Sequence, residues 1–145
     1  MDGFPLSANL EDLEQHNEEH IQREAFTYTV LSPDGERCEG CVYINPWEHA
    51  VAHRHIDATV ADIDAGEHEA VVTFWIRSDR LELDYERQLI GGLLEWFKRD
   101  WQFGRITFMT NDQLPGQVSV LQEVGLKQTY AFGSPSGTTR WLFFA

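Results

Sequence analysis

The sequence predicts an α/β fold: one mixed, mainly antiparallel central sheet flanked by helices. Three observations carry this. Ala70 to Ile76 and Arg105 to Thr110 are nearly unbroken apolar and β-branched runs, the pattern of strands covered on both faces. Between them, Leu89, Leu93 and Trp96, with Ile90, Leu94, Phe97 and Trp101 beside them, recur at three- and four-residue steps from Tyr85 to Trp101 and form one wide apolar helical face. Strand, helix and strand in that order make a parallel pair joined by a right-handed crossover, while the segments on either side read as hairpins.

Along the chain, Met1 to Asn9 is a short leader. Leu10, Leu13 and Ile21 then mark one face of a charged helix that runs to about Arg23, its acids turned to solvent. Phe26 to Leu31 is a strand by its aromatic and β-branched content, and the turn SPDGE leads it into a second strand, Cys38 to Asn45. Pro46 to Glu67 keeps neither period. It holds His49, His53 and His55, with His68 just beyond, and reads as a long insert with a short strand around Ala58 to Ile63. After the central unit come a turn at Asn111 to Pro115, a helix from Gly116 to Val124 and Gly125 as its C′ residue. Lys127 to Phe132 and Thr138 to Phe144 form a last hairpin around GSPSG.

The whole chain narrows the function classes. Its 145 residues suit one domain with a real core, and 42% hydrophobic content is that of a globular protein. With 24 acids against 11 bases, the net charge of −13 repels nucleic acid and anionic membrane alike, so neither is an expected partner. No stretch approaches the length of an apolar span and the N-terminus is acidic, which predicts a cytoplasmic protein. Cys38 and Cys41 are too few and too close for a secreted disulfide framework.

With Asn111 directly after the second apolar run and VLQEVGL closing on Gly125-Leu126, the central unit resembles the core of the GNAT-type N-acetyltransferases, over residues 20 to 145. The resemblance implies transfer of an acetyl group from acetyl-CoA to a small-molecule or peptide amine. The family's Q/R-x-x-G-x-G/A signature falls on Leu81 to Glu86, with Leu81 at the Arg/Gln position and Asp84 and Glu86 at the two glycines. The alternative is therefore a non-catalytic GNAT-like module that has lost acetyl-CoA and binds a partner. A strand and a helix that such chains carry before the first hairpin do not both fit ahead of Leu10, so 1–145 is expected to be a single domain short of them. The sheet edge this leaves predicts a homodimer.

Site residues follow from these readings. In a strand–helix–strand unit, ligands gather where strand ends meet the helix start. Trp75 and Ile76 end the strand there, beside the expected pantetheine arm, and Trp75 either lines a pocket or plugs it. Arg77, Arg80 and Arg87 are candidate phosphate partners through bidentate contacts, and Asn111 stands beside the thioester arm. Asp84 reads as the helix N-cap and Glu86 as a first-turn partner of the dipole, each stabilising the helix by about 0.5–1 kcal/mol. Glu69 is the expected base. The family's acid is commonly a tyrosine four residues before the Gly-Phe that closes the second helix. Here that position is Leu121, so Tyr130 or water takes its place. A zinc site on Cys38, Cys41, His53 and His55 is not expected, because strand alternation sends cysteines three apart to opposite faces; nor is a site on His49, His53 and His55.

Overall fold

The computed structural model describes residues 6–22, 25–53, 69–79, 84–101 and 105–145. Along them the order is α1 (Leu6–Gln22), β1 (Phe26–Leu31), β2 (Cys38–Pro46), α2 (Trp47–His53), β3 (Glu69–Ile76), α3 (Tyr85–Asp100), β4 (Arg105–Asn111), α4 (Pro115–Glu123), β5 (Gln128–Gly133) and β6 (Arg140–Phe144). The strands form one sheet in the order β1-β2-β3-β4-β6-β5, in which β3 and β4 are the parallel pair and the other neighbours are antiparallel.

The continuous apolar run of β3 has its explanation in the two covers. Val72 and Phe74 pack with Ile90, Leu93 and Phe97 of α3 and with Leu121 of α4, around Phe108. Val71 points the other way, to Trp47, Met109 and Phe143. Val71, Val72 and Phe108 are at most 1% exposed, so the paired part of the central strands is covered on both faces at these positions. Full burial of side chains of this size stabilises the fold by about 1.5–3 kcal/mol each. Gly40 lets β2 come close to β3, since a Cβ there would stand 2.1 Å from the Trp75 carbonyl oxygen.

One irregularity positions everything that follows. The β3–β4 pairing covers only Glu69 to Val72 against Arg105 to Phe108, although β3 continues to Ile76 and β4 to Asn111. Beyond that register the two parallel strands part, and the main chain that would have closed the ladder faces a gap at their carboxyl ends.

Turn chemistry is as expected: Gly35 and Gly137 take positive φ in the two hairpin turns. Gly125, at φ 95, ends α4 with the Leu126 N–H donating to the Leu121 carbonyl, the bond of a Schellman cap. The described elements start or end a residue or two from several predicted bounds, notably at α4, β5 and β6, and α1 starts at Leu6, inside the predicted leader.

Three expectations are corrected, and one lies beyond the described residues. The start of the predicted insert is helix α2, because Trp47 and Ala50, three apart, both turn into the second core beneath it. The strand expected at Ala58 to Ile63 lies outside the described residues, as do His55 and His68. Leu10 and Leu13 do not form the inner face of α1: they are 55% and 57% exposed, and the helix turns polar side chains to the sheet. In β2 the register slips opposite Val30 and Leu31, leaving Glu39 as an extra residue and cancelling the alternation predicted for Cys38 and Cys41. Cys38 is exposed and Cys41 half-buried; burial first, then the neighbouring Cys38, pushes the Cys41 thiol up.

Candidate functional site

The parted strands are bridged by one side chain. Gln117, on the first turn of α4, is buried in the gap, where its Nε2 donates to the Phe74 carbonyl of β3 at 3.0 Å and its Oε1 accepts from the Thr110 hydroxyl of β4 at 2.8 Å. Leu121 lies one turn on, on the same inward side of α4, and is fully buried in the core. A leucine there packs; it has no proton to give.

The start of α3 is set by carboxylates, though not as the sequence suggested. Asp84 sits at the N-cap position in the left-handed region, φ 60 and ψ 22, and its side chain makes no capping hydrogen bond. That backbone conformation turns the carboxylate away from the helix N–H groups, and its oxygen lies 3.4 Å from Arg87 Nε. Arg87 also binds Glu123 and so ties α3 to α4. Glu86 turns inward and is buried, and burial pushes its carboxyl up from the ordinary range. Arg77, just past β3, is held by Asp79 through two hydrogen bonds of 3.1 and 2.9 Å. Both described arginines of the expected phosphate set thus already have acidic partners, while Arg80 lies outside the described residues. These exposed pairs are weak, about 0–1 kcal/mol each, and can exchange.

On the opposite face, α1 and the sheet enclose a cavity of about 490 Å³. Asp12, Gln15, His16 and Glu19 line it from α1, Tyr43, Asn45, Thr73 and Trp75 from the strands, and His49 from α2. His16 stands between two carboxylates, Nε2 3.3 Å from Asp12 and Nδ1 3.5 Å from Glu19, with its ring 6.0 Å from that of Tyr43. Trp75, 42% exposed, is a wall of this cavity and not a plug; its indole N–H donates to the Tyr43 hydroxyl at 3.2 Å. Burial pushes the Tyr43 phenol up, outweighing that hydrogen bond, so it stays neutral. Carboxylates, an imidazole and two aromatic rings around one space suit an organic cation. Thr73 and Trp75 belong to the half of β3 that has parted from β4, so cavity and gap meet along the same stretch of strand.

No family model matches the sequence, and no curated protein matches it. Solved structures do. A protein assigned as a ribosomal-protein-serine acetyltransferase from Vibrio cholerae aligns with a TM-score of 0.70 at 14% identity over 99% of this chain and 76% of its own. This is the GNAT N-acetyltransferase fold. A spermidine N-acetyltransferase chimera of Vibrio cholerae SpeG and hSSAT aligns with a TM-score of 0.65 at 14% identity, covering 92% of this chain and 74% of that one. The ribosomal-protein-S5-alanine acetyltransferase of Vibrio fischeri aligns at 0.67 and 14% identity, over 92% and 67%.

Within the GNAT fold, the structure brings Trp75, Ile76 and Arg77 to the end of β3 at the gap and Asn111 to the end of β4. Asn111 Oδ1 accepts from the Gln113 N–H at 2.9 Å, which commits the side chain to its own turn. Tyr130 is not brought to the gap. It lies on β5, with β6 between it and β4, its ring 6.1 Å from Trp47 and 5.9 Å from the Arg105 guanidinium. Glu69 opens β3 opposite Arg105, at the closed end of the pair; its side chain is outside the described atoms. Among the described residues, no group of three or more His, Cys, Asp or Glu side chains is arranged to hold a metal ion, and no helix is long and apolar enough to cross a membrane. The sequence reading missed Asp12, His16, Glu19, Tyr43 and Gln117. The signal for the first three was their spacing of four and three, which puts them on one side of α1.

Proposed function

We propose that the protein is an N-acyltransferase that moves an acyl group from an acyl-CoA thioester to a cationic amine held in the cavity between α1 and the sheet. The observation that carries this is the meeting of the strand gap with an acidic, aromatic cavity along Thr73 and Trp75. The gap fits an extended arm bearing amides, because main-chain groups of β3 and β4 face it. The helix start does not fit a diphosphate through backbone amides alone, so Arg77, Arg87 and the predicted Arg80 supply the positive charge by exchanging partners. Asp12 and Glu19 attract the ammonium group, with Trp75 and Tyr43 alongside as rings that favour a cation. His16 takes the proton that the amine must lose. The freed nitrogen lone pair then attacks the thioester carbonyl, the carbon–sulfur bond breaks, the second proton that the nitrogen loses passes through solvent to the departing thiolate, and a neutral amide remains. Similarity to spermidine N-acetyltransferases supports amines of this kind as acceptors.

The test is to mix the protein with acetyl-CoA and a panel of diamines and polyamines, spermidine included, and follow thiol release together with the mass of the acylated product. Amine-dependent release is expected; none across the panel rejects the reading. A second reading, an amine-binding module without turnover, is favoured by Leu121 at the tyrosine position and by Asp84 and Glu86 at the helix start. It predicts that calorimetry detects the amine but not acetyl-CoA.

A further inference from the structure

Two parallel strands that part leave their inward main-chain groups without a ladder, and such groups need partners when buried. Here the partner comes from a third element. Gln117 spans from the Phe74 carbonyl on β3 to the Thr110 hydroxyl on β4, with both hydrogen bonds buried. A primary amide is an unusual choice for a buried position beside Phe74 and Thr110, because a leucine or methionine of similar volume would pack there without needing two matched polar partners. What it supplies is a carboxamide N–H for the Phe74 carbonyl of β3, where the ladder to β4 has ended. An incoming chain that carries secondary amides would use that same carbonyl as its acceptor.

We infer that Gln117 is a specificity-determining pin: it holds the β3–β4 gap closed, and only a ligand arm with its own amide N–H, placed to take over the Phe74 carbonyl, displaces it. This rests on the acyl-thioester reading above and adds a selection step to it. Entry of an amide-bearing arm exchanges one hydrogen bond at Phe74 for an equivalent one, so the exchange is nearly balanced. Entry of an alkyl chain would strand the carbonyl and the Thr110 hydroxyl in the core, which is costly. The pin therefore lowers the affinity for every arm and lowers it least for one with amides. When displaced, the Gln117 side chain swings towards the α4 start, where Leu114 and Gly116 are exposed and leave it room.

Two variants and two probes test this by calorimetry on the full chain. Gln117→Ala removes the pin. Thr110→Val keeps the shape of the threonine and loosens the pin from the other strand, so it still reports should Gln117→Ala fail to fold. The probes are coenzyme A and 3′-phosphoadenosine 5′-diphosphate, which has the phosphates but no arm. Each variant is expected to bind coenzyme A more tightly, by about tenfold for a pin of one to two net hydrogen bonds, and to bind the armless probe as the parent does. If the parent binds coenzyme A and neither variant that folds binds it more tightly, or if both probes gain equally, the pin is refuted while the acyltransferase reading stands. If neither parent nor variants bind coenzyme A at millimolar concentration, both fall.

Discussion

On one face of the sheet, α3 and α4 press Ile90, Leu93, Phe97 and Leu121 against Val72, Phe74 and Phe108 in a tightly packed apolar cluster. On the other, α1 turns Asp12, His16 and Glu19 towards Tyr43, Thr73 and Trp75 and encloses a cavity, while its leucines Leu10 and Leu13 face outward. The first arrangement maximises buried apolar area, the dominant favourable term in folding. The second leaves polar groups around a space that packed side chains would have filled with more stability. A helix that turns its acids inward and its leucines outward gives up fold energy, and what it gains is a charged surface for a ligand. Stability and chemistry are thus divided between the faces, and β3, shared by both, connects them.

Substitutions can break or sharpen this division. The largest expected effect is on the apolar face: Phe108→Ala, at a fully buried site, should lower the unfolding free energy by about 3–5 kcal/mol in urea. Leu13→Ala on α1 should stay within about 0.5 kcal/mol, because its side chain is already in water. Comparable losses at the two positions would show that α1 holds the fold as α3 does. Of intermediate size is Asp84→Gly. It removes a left-handed aspartate that caps nothing and an exposed ion pair, so stability should be unchanged or rise by up to about 1 kcal/mol. A drop of that size in thermal unfolding would mean that the carboxylate caps the helix after all.

The smallest effect is pH-dependent and sits at Glu86. Burial raises its folded-state value, so the folded protein holds this proton more tightly than the unfolded chain does. Its contribution is therefore fully present below the unfolded value, about pH 4, and is lost as pH rises through the raised folded value. Above that window the ionised carboxylate is a burden, which Glu86→Gln removes. The variant should melt above the parent at neutral pH and converge with it near about pH 4. A variant that melts lower at neutral pH would show that the helix dipole outweighs desolvation there.

The apolar face was legible because its signal is periodic. Leu89, Ile90, Leu93 and Phe97 declare a helix, and the unbroken run of β3 declares two covers, so the parallel crossover followed from pattern alone. The polar face was not legible for the same reason. In α1 the described leucines of the predicted face, Leu10 and Leu13, lie outside, and a rule that puts apolar residues inward selects the wrong side. The bulge at Glu39 inserts one residue and reverses an alternation argument that was sound for a regular strand. Gln117 was invisible because its meaning depends on two strands parting, which no local spacing records. At the site, Trp75, Ile76, Arg77 and Asn111 were legible as positions at strand ends, whereas the partners that hold Arg77 and Arg87 come from the loop and from α4 and emerge only in three dimensions.

The most direct test of an amine site opposite the gap is a steady-state comparison of the parent with the Asp12→Asn, Glu19→Gln double variant, using acetyl-CoA and spermidine. Two carboxylates that hold a cation in a half-buried cavity predict a KM for the amine raised by about 10–100-fold, equivalent to about 1.4–2.8 kcal/mol, with the calorimetric affinity for acetyl-CoA unchanged. An unchanged KM, or an equal loss in acetyl-CoA affinity, would contradict the division of labour between the two faces.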